Sequence, residues 1–164
     1  MQLKKGFTLI ELLVAIAVIG ILSTIVLASL NTSRAKSRNS KRLSDIRQLM
    51  NAYNAYYSDN GFFPNSGGGW ACASINCYDG WAIYGNGNQS MDSGLYPYLP
   101  TKPTDPVGGN RGYGGYMYAG PSITIGYTGA FFIYALEPPY TTCPIGYVNS
   151  SGSDYVVCLF YLGN

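Results

Sequence analysis

The sequence predicts an α+β fold, in which a long N-terminal helix precedes a small, β-rich head. Two contrasts point to it: residues 7–30 carry one charge, Glu11, and no proline, whereas all nine prolines and thirteen of the sixteen tyrosines lie after Asp59. Charged residues make up 11% of the 164-residue chain, about half the usual share, and histidine is absent. This composition argues against an enzyme that uses imidazole chemistry, and we expect no catalytic residue.

Residues 7–30 are long enough to cross a membrane as a helix. At 1.5 Å per residue they span roughly 36 Å, against a hydrocarbon core of ~30 Å. The alternative is a secretory signal peptide, for which Val26-Leu27-Ala28 would serve as the cleavage site. The run exceeds the ~7–15 apolar residues of such a signal and holds an acidic residue. We therefore interpret residues 1–6 as a leader and residues 7–30 as a transmembrane helix.

Residues 31–58 are predicted to continue the same helix as an amphipathic half. Apolar side chains recur at spacings of three and four residues, at Leu43, Ile46, Met50, Tyr53 and Tyr57. Asp59-Asn60-Gly61 and then Pro64 supply stop signals. The basic residues of this half are expected to form a solvated face beside the membrane; they are Arg34, Lys36, Arg38, Lys41, Arg42 and Arg47.

Residues 59–164 are expected to form the head, with three or four antiparallel strands packed on the amphipathic half of the helix. The strand candidates are β-branched and aromatic runs bounded by glycine or proline, at residues 122–128, 131–136 and 155–161. Residues 70–93 and 108–115 are predicted to be long loops. The loops are rich in tyrosine, glycine, serine and asparagine, a mixture typical of binding surfaces, which would indicate adhesion to a surface or carbohydrate. The favoured interpretation is instead that the tyrosines fill a sheet with few aliphatic residues.

Four cysteines allow three disulfide pairings, and the sequence neighbours Cys72–Cys77 and Cys143–Cys158 are the favoured pairs. Disulfides need an oxidising compartment, which places the head outside the cytoplasm. The basic residues after the apolar run argue the other way, because positive charge normally stays on the cytoplasmic side. A four-cysteine zinc site is a further alternative, although only Cys72 and Cys77 are closely spaced.

Residues 4–14, Lys-Lys-Gly-Phe-Thr-Leu-Ile-Glu-Leu-Leu-Val, resemble the class III signal of type IV pilins and of the pseudopilins of type II secretion. The resemblance implies a pilin-like fold, cleavage by a prepilin peptidase between Gly6 and Phe7, and N-methylation of Phe7. It also implies that Glu11 guides subunit docking. Glu11 lies one helical turn beyond the amine that cleavage would create, so a neighbouring subunit shifted by about a turn could pair its amine with this carboxylate. Pairing of Glu11 with its own amine is the alternative.

The resemblance implies a structural subunit that polymerises into a type IV pilus-like filament for adhesion, motility or DNA uptake. The implied location is the cytoplasmic membrane, crossed once with the leader inside and the head outside, and then an extracellular filament. The implied partners are further copies of the chain, prepilin peptidase, the assembly machinery, and membrane lipid before assembly; no nucleic acid is expected directly. The alternatives are a major pseudopilin of type II secretion and a membrane-tethered binding module that does not polymerise.

Residues 95–106 are similar to the linker before the sheet in major pseudopilins, which bind calcium nearby. In those proteins Asp-Pro usually continues into Trp-Gly. Here Asp105-Pro106 continues into Val107-Gly108, and no cluster of aspartates follows. Asp92 and Asp105 are therefore expected to form Asx turns, with calcium as the less favoured alternative, and no cofactor is predicted.

Overall fold

The computed structural model describes residues 6–77, 89–107, 114–121 and 128–164. The chain divides into two compact units, residues 1–35 and residues 36–164. One long helix belongs to both units, and the remaining elements belong to the second. The elements are α1 (Leu9–Asn60), β1 (Ala71–Cys72), α2 (Gln89–Leu95), β2 (Met117–Ala119), β3 (Ala130–Leu136), β4 (Tyr147–Ser151) and β5 (Val156–Gly163).

Helix α1 has 52 residues. It contains no proline, and it ends where the sequence predicted. Gly61 follows with a φ of 76°, a left-handed conformation that glycine adopts without a steric penalty and that commonly ends helices. Its N–H donates to the carbonyl of Tyr57 at 2.8 Å. The predicted long helix is thereby confirmed.

The five strands form one antiparallel sheet in the order β1-β2-β3-β5-β4. Strands β3 and β5 pair from Leu136↔Val156 to Ala130↔Gly163, and they are the two strands that the sequence located. Strand β4 lies at one edge and is mostly exposed, with an irregularity between Val148 and Ser150. The α+β class is confirmed, and the described residues contain five strands where three or four were expected.

Three of the five strands and helix α2 were not predicted. The prediction of one loop over residues 70–93 is wrong at both ends, where β1 and the start of α2 lie. Strand β1 is only two residues long, so its conformation depends on pairing with β2 rather than on local preference. The predicted strand at residues 122–128 lies outside the described residues except for Thr128, as does most of the predicted loop at residues 108–115.

The core of the second unit forms between α1 and one face of the sheet. Ile46, Leu49 and Tyr53 of α1 are fully buried. The Tyr53 ring lies 4.4 Å from that of Tyr118 and 4.8 Å from that of Phe132, measured between ring centroids. Such tilted and edge-on contacts are the favoured geometries for aromatic pairs. The amphipathic prediction holds for this helical face.

The prediction that Tyr57 continues the buried apolar face of α1 is wrong. Its side chain is exposed and stacks on Phe63 with ring centroids 4.5 Å apart. A second, smaller cluster lies on the opposite face of the sheet, since alternate side chains of a strand point to opposite faces. It contains Met117, Phe131, Ile133, Val157 and Leu159 together with Cys72 and Cys77.

Candidate functional site

The first unit presents an apolar surface that none of the described residues covers. Phe7, Leu9 and Ile10 are 82%, 80% and 70% exposed, and the large apolar side chains continue exposed to Leu30. Among the described residues, α1 is the one helix long and apolar enough to cross a membrane, with a mean hydropathy of 2.7 in its most apolar window. A helix that is apolar on all sides needs lipid or other helices around it.

Glu11 interrupts this surface, and it also caps the start of α1. Its Oε2 accepts hydrogen bonds from the N–H of Thr8 at 2.9 Å and from the Thr8 hydroxyl at 2.7 Å. The Glu11 N–H donates to Thr8 Oγ1 at 3.3 Å. This reciprocal arrangement is a capping box, in which Thr8 precedes the first helical residue and Glu11 lies three positions further on. The Thr-x-x-Glu spacing signals it in the sequence, but the sequence interpretation missed it.

Both recorded hydrogen bonds to the Glu11 carboxylate end on Oε2. Within the described residues no bond to Oε1 is recorded, so this oxygen can accept a donor from another molecule. Gly6 and Phe7 precede the helix and are exposed, and a side chain at Gly6 would meet no atom within 4 Å. Their peptide bond is therefore open to an enzyme. Lys4 and Lys5 of the predicted leader lie outside the described residues.

The predicted solvated basic face is wrong for Arg42, which is 5% exposed. Its guanidinium contacts both carboxylate oxygens of Asp105, at 2.8 and 3.1 Å, and Oε1 of Glu137 at 2.7 Å. Asn39 completes the group, accepting from Arg42 at 3.0 Å and bonding the backbone N–H and carbonyl of Glu137. Buried charges are tolerated only when paired and hydrogen-bonded in this way.

Glu137 is the acidic centre of this cluster, because Arg38 also pairs with it through two hydrogen bonds. The hydrogen bonds from Arg38, together with those from Arg42, lower the pKa of Glu137 to about 2 against the opposing effect of burial. Burial acts to lower the pKa of Arg42, but the bonds to Asp105 and Glu137 outweigh it and leave that pKa raised. Arg38, Arg42 and Glu137 therefore stay ionised throughout the neutral range.

A second group of polar contacts joins α1 to the residues that precede β2. Asp45 accepts from the Tyr116 hydroxyl at 2.8 Å and pairs with Lys41 at 2.6 Å. Lys41 also donates to the carbonyl of Thr104 at 3.0 Å. Burial and the bond to Asp45 raise the pKa of Tyr116, so its hydroxyl stays protonated as the donor. Together with the Arg42 cluster, these bonds fix the amphipathic half of α1 to the rest of the second unit.

The two aspartates considered for calcium have cationic partners. Asp105 accepts from the Val107 N–H at 2.8 Å, as expected for an Asx turn, but its main contact is Arg42. Asp92 lies in α2 instead of an Asx turn, and pairs with Lys102 at 2.6 Å. Over the described residues, no three side chains of His, Cys, Asp or Glu come together in a group suited to a metal ion.

The cysteines are joined in the structure as Cys72–Cys77 and Cys143–Cys158, with Cα atoms 5.7 and 5.6 Å apart. The first bridge lies in the smaller apolar cluster beside β2. The second ties the segment after β3 to β5. Both pairings in the native protein stay a prediction.

The comparisons with known proteins agree with this architecture. Residues 1–27 match the prokaryotic N-terminal methylation motif. Over 117 residues the chain is 31% identical to the type II secretion system core protein G of Vibrio cholerae, covering 71% of this chain and 62% of that protein. The same protein of Klebsiella michiganensis is 30% identical over 112 residues, covering 66% of this chain and 72% of that protein.

A fimbrial protein, EcpC of Eikenella corrodens, is 42% identical over 77 residues, which are 46% of this chain and 50% of that protein. The matched part of the chain thus corresponds to about half to two thirds of the length of most of these relatives. For the type II secretion system core protein G of Escherichia coli the share is 46%. No solved structure matches this chain with significant similarity.

A helix that is apolar on all sides in its first half and packs on a small antiparallel sheet in its second half defines a pilin-like subunit. The signal at its N-terminus agrees with that class. The chain belongs to the family of type IV pilins and type II secretion pseudopilins. This family is structural, which points away from an enzyme.

Proposed function

We propose that the protein is a structural subunit that polymerises through residues 7–30 into a type IV pilus-like filament on the cell surface, where it serves adhesion, motility or DNA uptake. The observation that carries this proposal is Glu11, the one ionisable side chain in the exposed apolar part of α1. A carboxylate inside a bilayer costs a few kcal/mol. A simple anchor gains from it only the helix cap with Thr8, whereas a docking subunit also gains a partner for the amine of a neighbouring subunit.

The proposed mechanism pairs Glu11 of one subunit with the amine of another. Cleavage after Gly6 leaves an α-amine on Phe7, which the peptidase then methylates. Glu11 retains its carboxylate Oε1 for a donor from a neighbouring molecule. Because an unpaired charge in an apolar bundle is costly, the pair sets the register between helices more than it adds stability.

This mechanism assigns a role to each segment of the chain. Residues 1–6 are the leader that prepilin peptidase removes, residues 7–30 cross the membrane and later form the filament core, and residues 31–58 carry the head, residues 59–164. The subunit crosses the cytoplasmic membrane once with the leader inside, is surrounded by lipid before assembly, and leaves the membrane with the help of assembly machinery. Its final partners are copies of itself.

The second candidate function is that of a major pseudopilin in a type II secretion system. The relatives of that name support it, since their similarity extends over 117 and 112 residues, compared with 77 for the fimbrial protein. The third, a membrane-tethered binding module that does not polymerise, would use Glu11 only to cap the start of α1. Deleting the gene separates the first two: loss of long surface filaments supports the pilin, and loss of secreted proteins with no change in filaments supports the pseudopilin.

The test of assembly is Glu11→Val in the native cell. The variant helix is more apolar, so membrane insertion should be equal or better. Leader removal should persist because the cut lies four residues away, and mass spectrometry should find N-methylated Phe7 at the mature terminus. The variant should nevertheless accumulate as membrane-bound monomer without filaments. Wild-type amounts of filament from Glu11→Val would refute docking through this carboxylate, and a mature terminus at Ser29 would refute the anchor.

A further inference from the structure

A surface groove opens between α1 and the segment that connects β3 to β4. It has a volume of about 350 Å³ and is lined by Lys36, Ser40, Pro139, Tyr140, Thr141 and Thr142. Lys36 is the single charged residue among these six. The other polar groups are three aliphatic hydroxyls and one phenol, which donate and accept hydrogen bonds. One ammonium with hydroxyl donors around it suits an anionic oxygen ligand such as a phosphate group.

The groove is rigid because its connecting segment is held at both ends. At the first end, the Glu137 backbone is bonded twice to Asn39, and its carboxylate pairs with Arg38 and Arg42. At the second end, Cys143 is bridged to Cys158 of β5. Hydroxyl groups on a segment fixed in this way lose little entropy on binding, which favours a preformed site.

Lys36 is the one charged side chain that lines the groove. The carboxylate nearest to the connecting segment in the sequence, Glu137, pairs with Arg38 and Arg42, and Arg42 also pairs with Asp105, so these four charges balance. Lys36 is exposed, and within the described residues no acidic side chain is recorded as its partner. An anion entering the groove therefore meets an unneutralised ammonium.

The position of Lys36 in the sequence favours an anion at the membrane surface. It follows Leu30, the end of the apolar run, by six residues. Six residues of α1 rise roughly 9 Å, and the headgroup layer extends about 5–8 Å beyond the hydrocarbon core on each side. A lysine side chain reaches the phosphate level from this distance by snorkelling.

We infer that this groove binds the phosphate of an anionic phospholipid while the subunit is still in the membrane. The inference rests on the proposed function, because it requires α1 to span the bilayer. It also explains why basic residues follow the apolar run on the non-cytoplasmic side, where Lys and Arg are normally scarce. The lipid phosphate would balance their positive charge. Release of this headgroup then accompanies the departure of the subunit from the bilayer.

The test uses the full chain reconstituted in phosphatidylcholine vesicles with and without phosphatidylglycerol. An amine-reactive reagent modifies exposed lysines, and mass spectrometry follows each site. Modification of Lys36 should slow about fivefold in the anionic vesicles, and high salt should remove much of this protection. Lys41, which is already paired with Asp45, should change little and serves as the internal control.

A matched set of variants tests the same site by lipid retention. Phosphatidylglycerol retained after mild detergent extraction should fall in Lys36→Ala, persist in Lys41→Ala and return in Lys36→Arg. Equal labelling of Lys36 in both kinds of vesicle, with the chain resistant to carbonate extraction, overturns the inference. Protection by inorganic phosphate in phosphatidylcholine vesicles also overturns it, in favour of free phosphate. Failure of the chain to insert at all refutes the proposed membrane subunit instead.

Discussion

Arg42 and Asp105 form a two-point ion pair across 63 residues of sequence, with Nε 2.8 Å from Oδ2 and Nη2 3.1 Å from Oδ1. Both side chains are almost completely buried. The same guanidinium contacts Glu137, 95 residues away. One arginine of α1 therefore holds the segment before β2 and the end of β3 at once.

Removing this arginine should destabilise the head strongly. Arg42→Ala leaves Asp105 without its cationic partner and leaves Glu137 with Arg38 alone, and breaking a buried pair from one side costs about 3–5 kcal/mol. The free energy of unfolding, measured by denaturant titration of the full chain in detergent, should fall by this amount. Arg47→Ala is the matched control, because Arg47 is exposed on the same helix, and it should change stability by less than about 0.5 kcal/mol. Equal effects of the two variants would contradict the importance of the buried pair.

The stability of the head should depend on pH through Glu137. Its pKa in the folded state is about 2, below the ordinary value of 4.5, because of the hydrogen bonds from Arg38 and Arg42. A depressed carboxyl pKa stabilises the fold above the ordinary value, and this contribution is lost as the pH falls from about 5 towards 2. Glu137→Gln should lower the stability at pH 6 and flatten its decline below pH 5, as measured by denaturant titration at each pH. An unchanged slope in the variant would argue against this assignment.

The sequence revealed those features whose cause is local. The absence of proline from residues 7–60, together with the stop at Asp59-Asn60-Gly61, predicted α1, and β-branched and aromatic runs predicted β3 and β5. Burial of Arg42 could not be predicted, since its partners Asp105 and Glu137 are distant in the sequence. Short strands such as β1 and β2 likewise depend on pairing with a neighbour. The capping box is an exception, because it was not predicted although Thr8-x-x-Glu11 is a local pattern that indicates it.

Cys72–Cys77 and Cys143–Cys158 should both be found by non-reducing peptide mapping of the native protein. Replacing Cys143 and Cys158 with serine should lower the free energy of unfolding by about 3 kcal/mol, the chain-entropy value for a loop of this length, since the bridge spans 15 positions. Four free thiols, or one equivalent of zinc per chain, would overturn both pairings. They would also remove the argument from disulfides that the head lies outside the cytoplasm.

Gly115 should not tolerate a side chain. Its φ is +91°, and an added Cβ would lie 2.3 Å from the carbonyl oxygen of Asn76 and 2.8 Å from the Cα of Cys77. Gly115→Ala therefore combines backbone strain with a clash against backbone atoms. Gly61→Ala is the matched control, because its φ is +76° with no atom within 4 Å of the added Cβ. Thermal unfolding should show a larger loss for Gly115→Ala, whereas similar losses would mean that the clash is relieved.

Glu11 has a local partner, Thr8, and a proposed partner in another subunit, and two variants separate these roles. Thr8→Val removes the hydroxyl that bonds Glu11 and leaves the carboxylate in place, so it should cost the helix end about 1 kcal/mol and leave filaments intact. Glu11→Val removes the carboxylate itself. If that carboxylate meets the amine of a neighbouring Phe7, the charge left unpaired in an apolar bundle costs about 3 kcal/mol or more, at least about a hundredfold in each docking step.

Electron microscopy of cells and the ratio of filament to membrane-bound subunit measure both outcomes. Filaments from Thr8→Val together with none from Glu11→Val assign the carboxylate to contact between subunits. Loss of filaments in both variants to the same degree would show instead that the capped start of α1 is what assembly requires. Docking would then depend on the shape of the helix end, and the amine of Phe7 would need another acceptor.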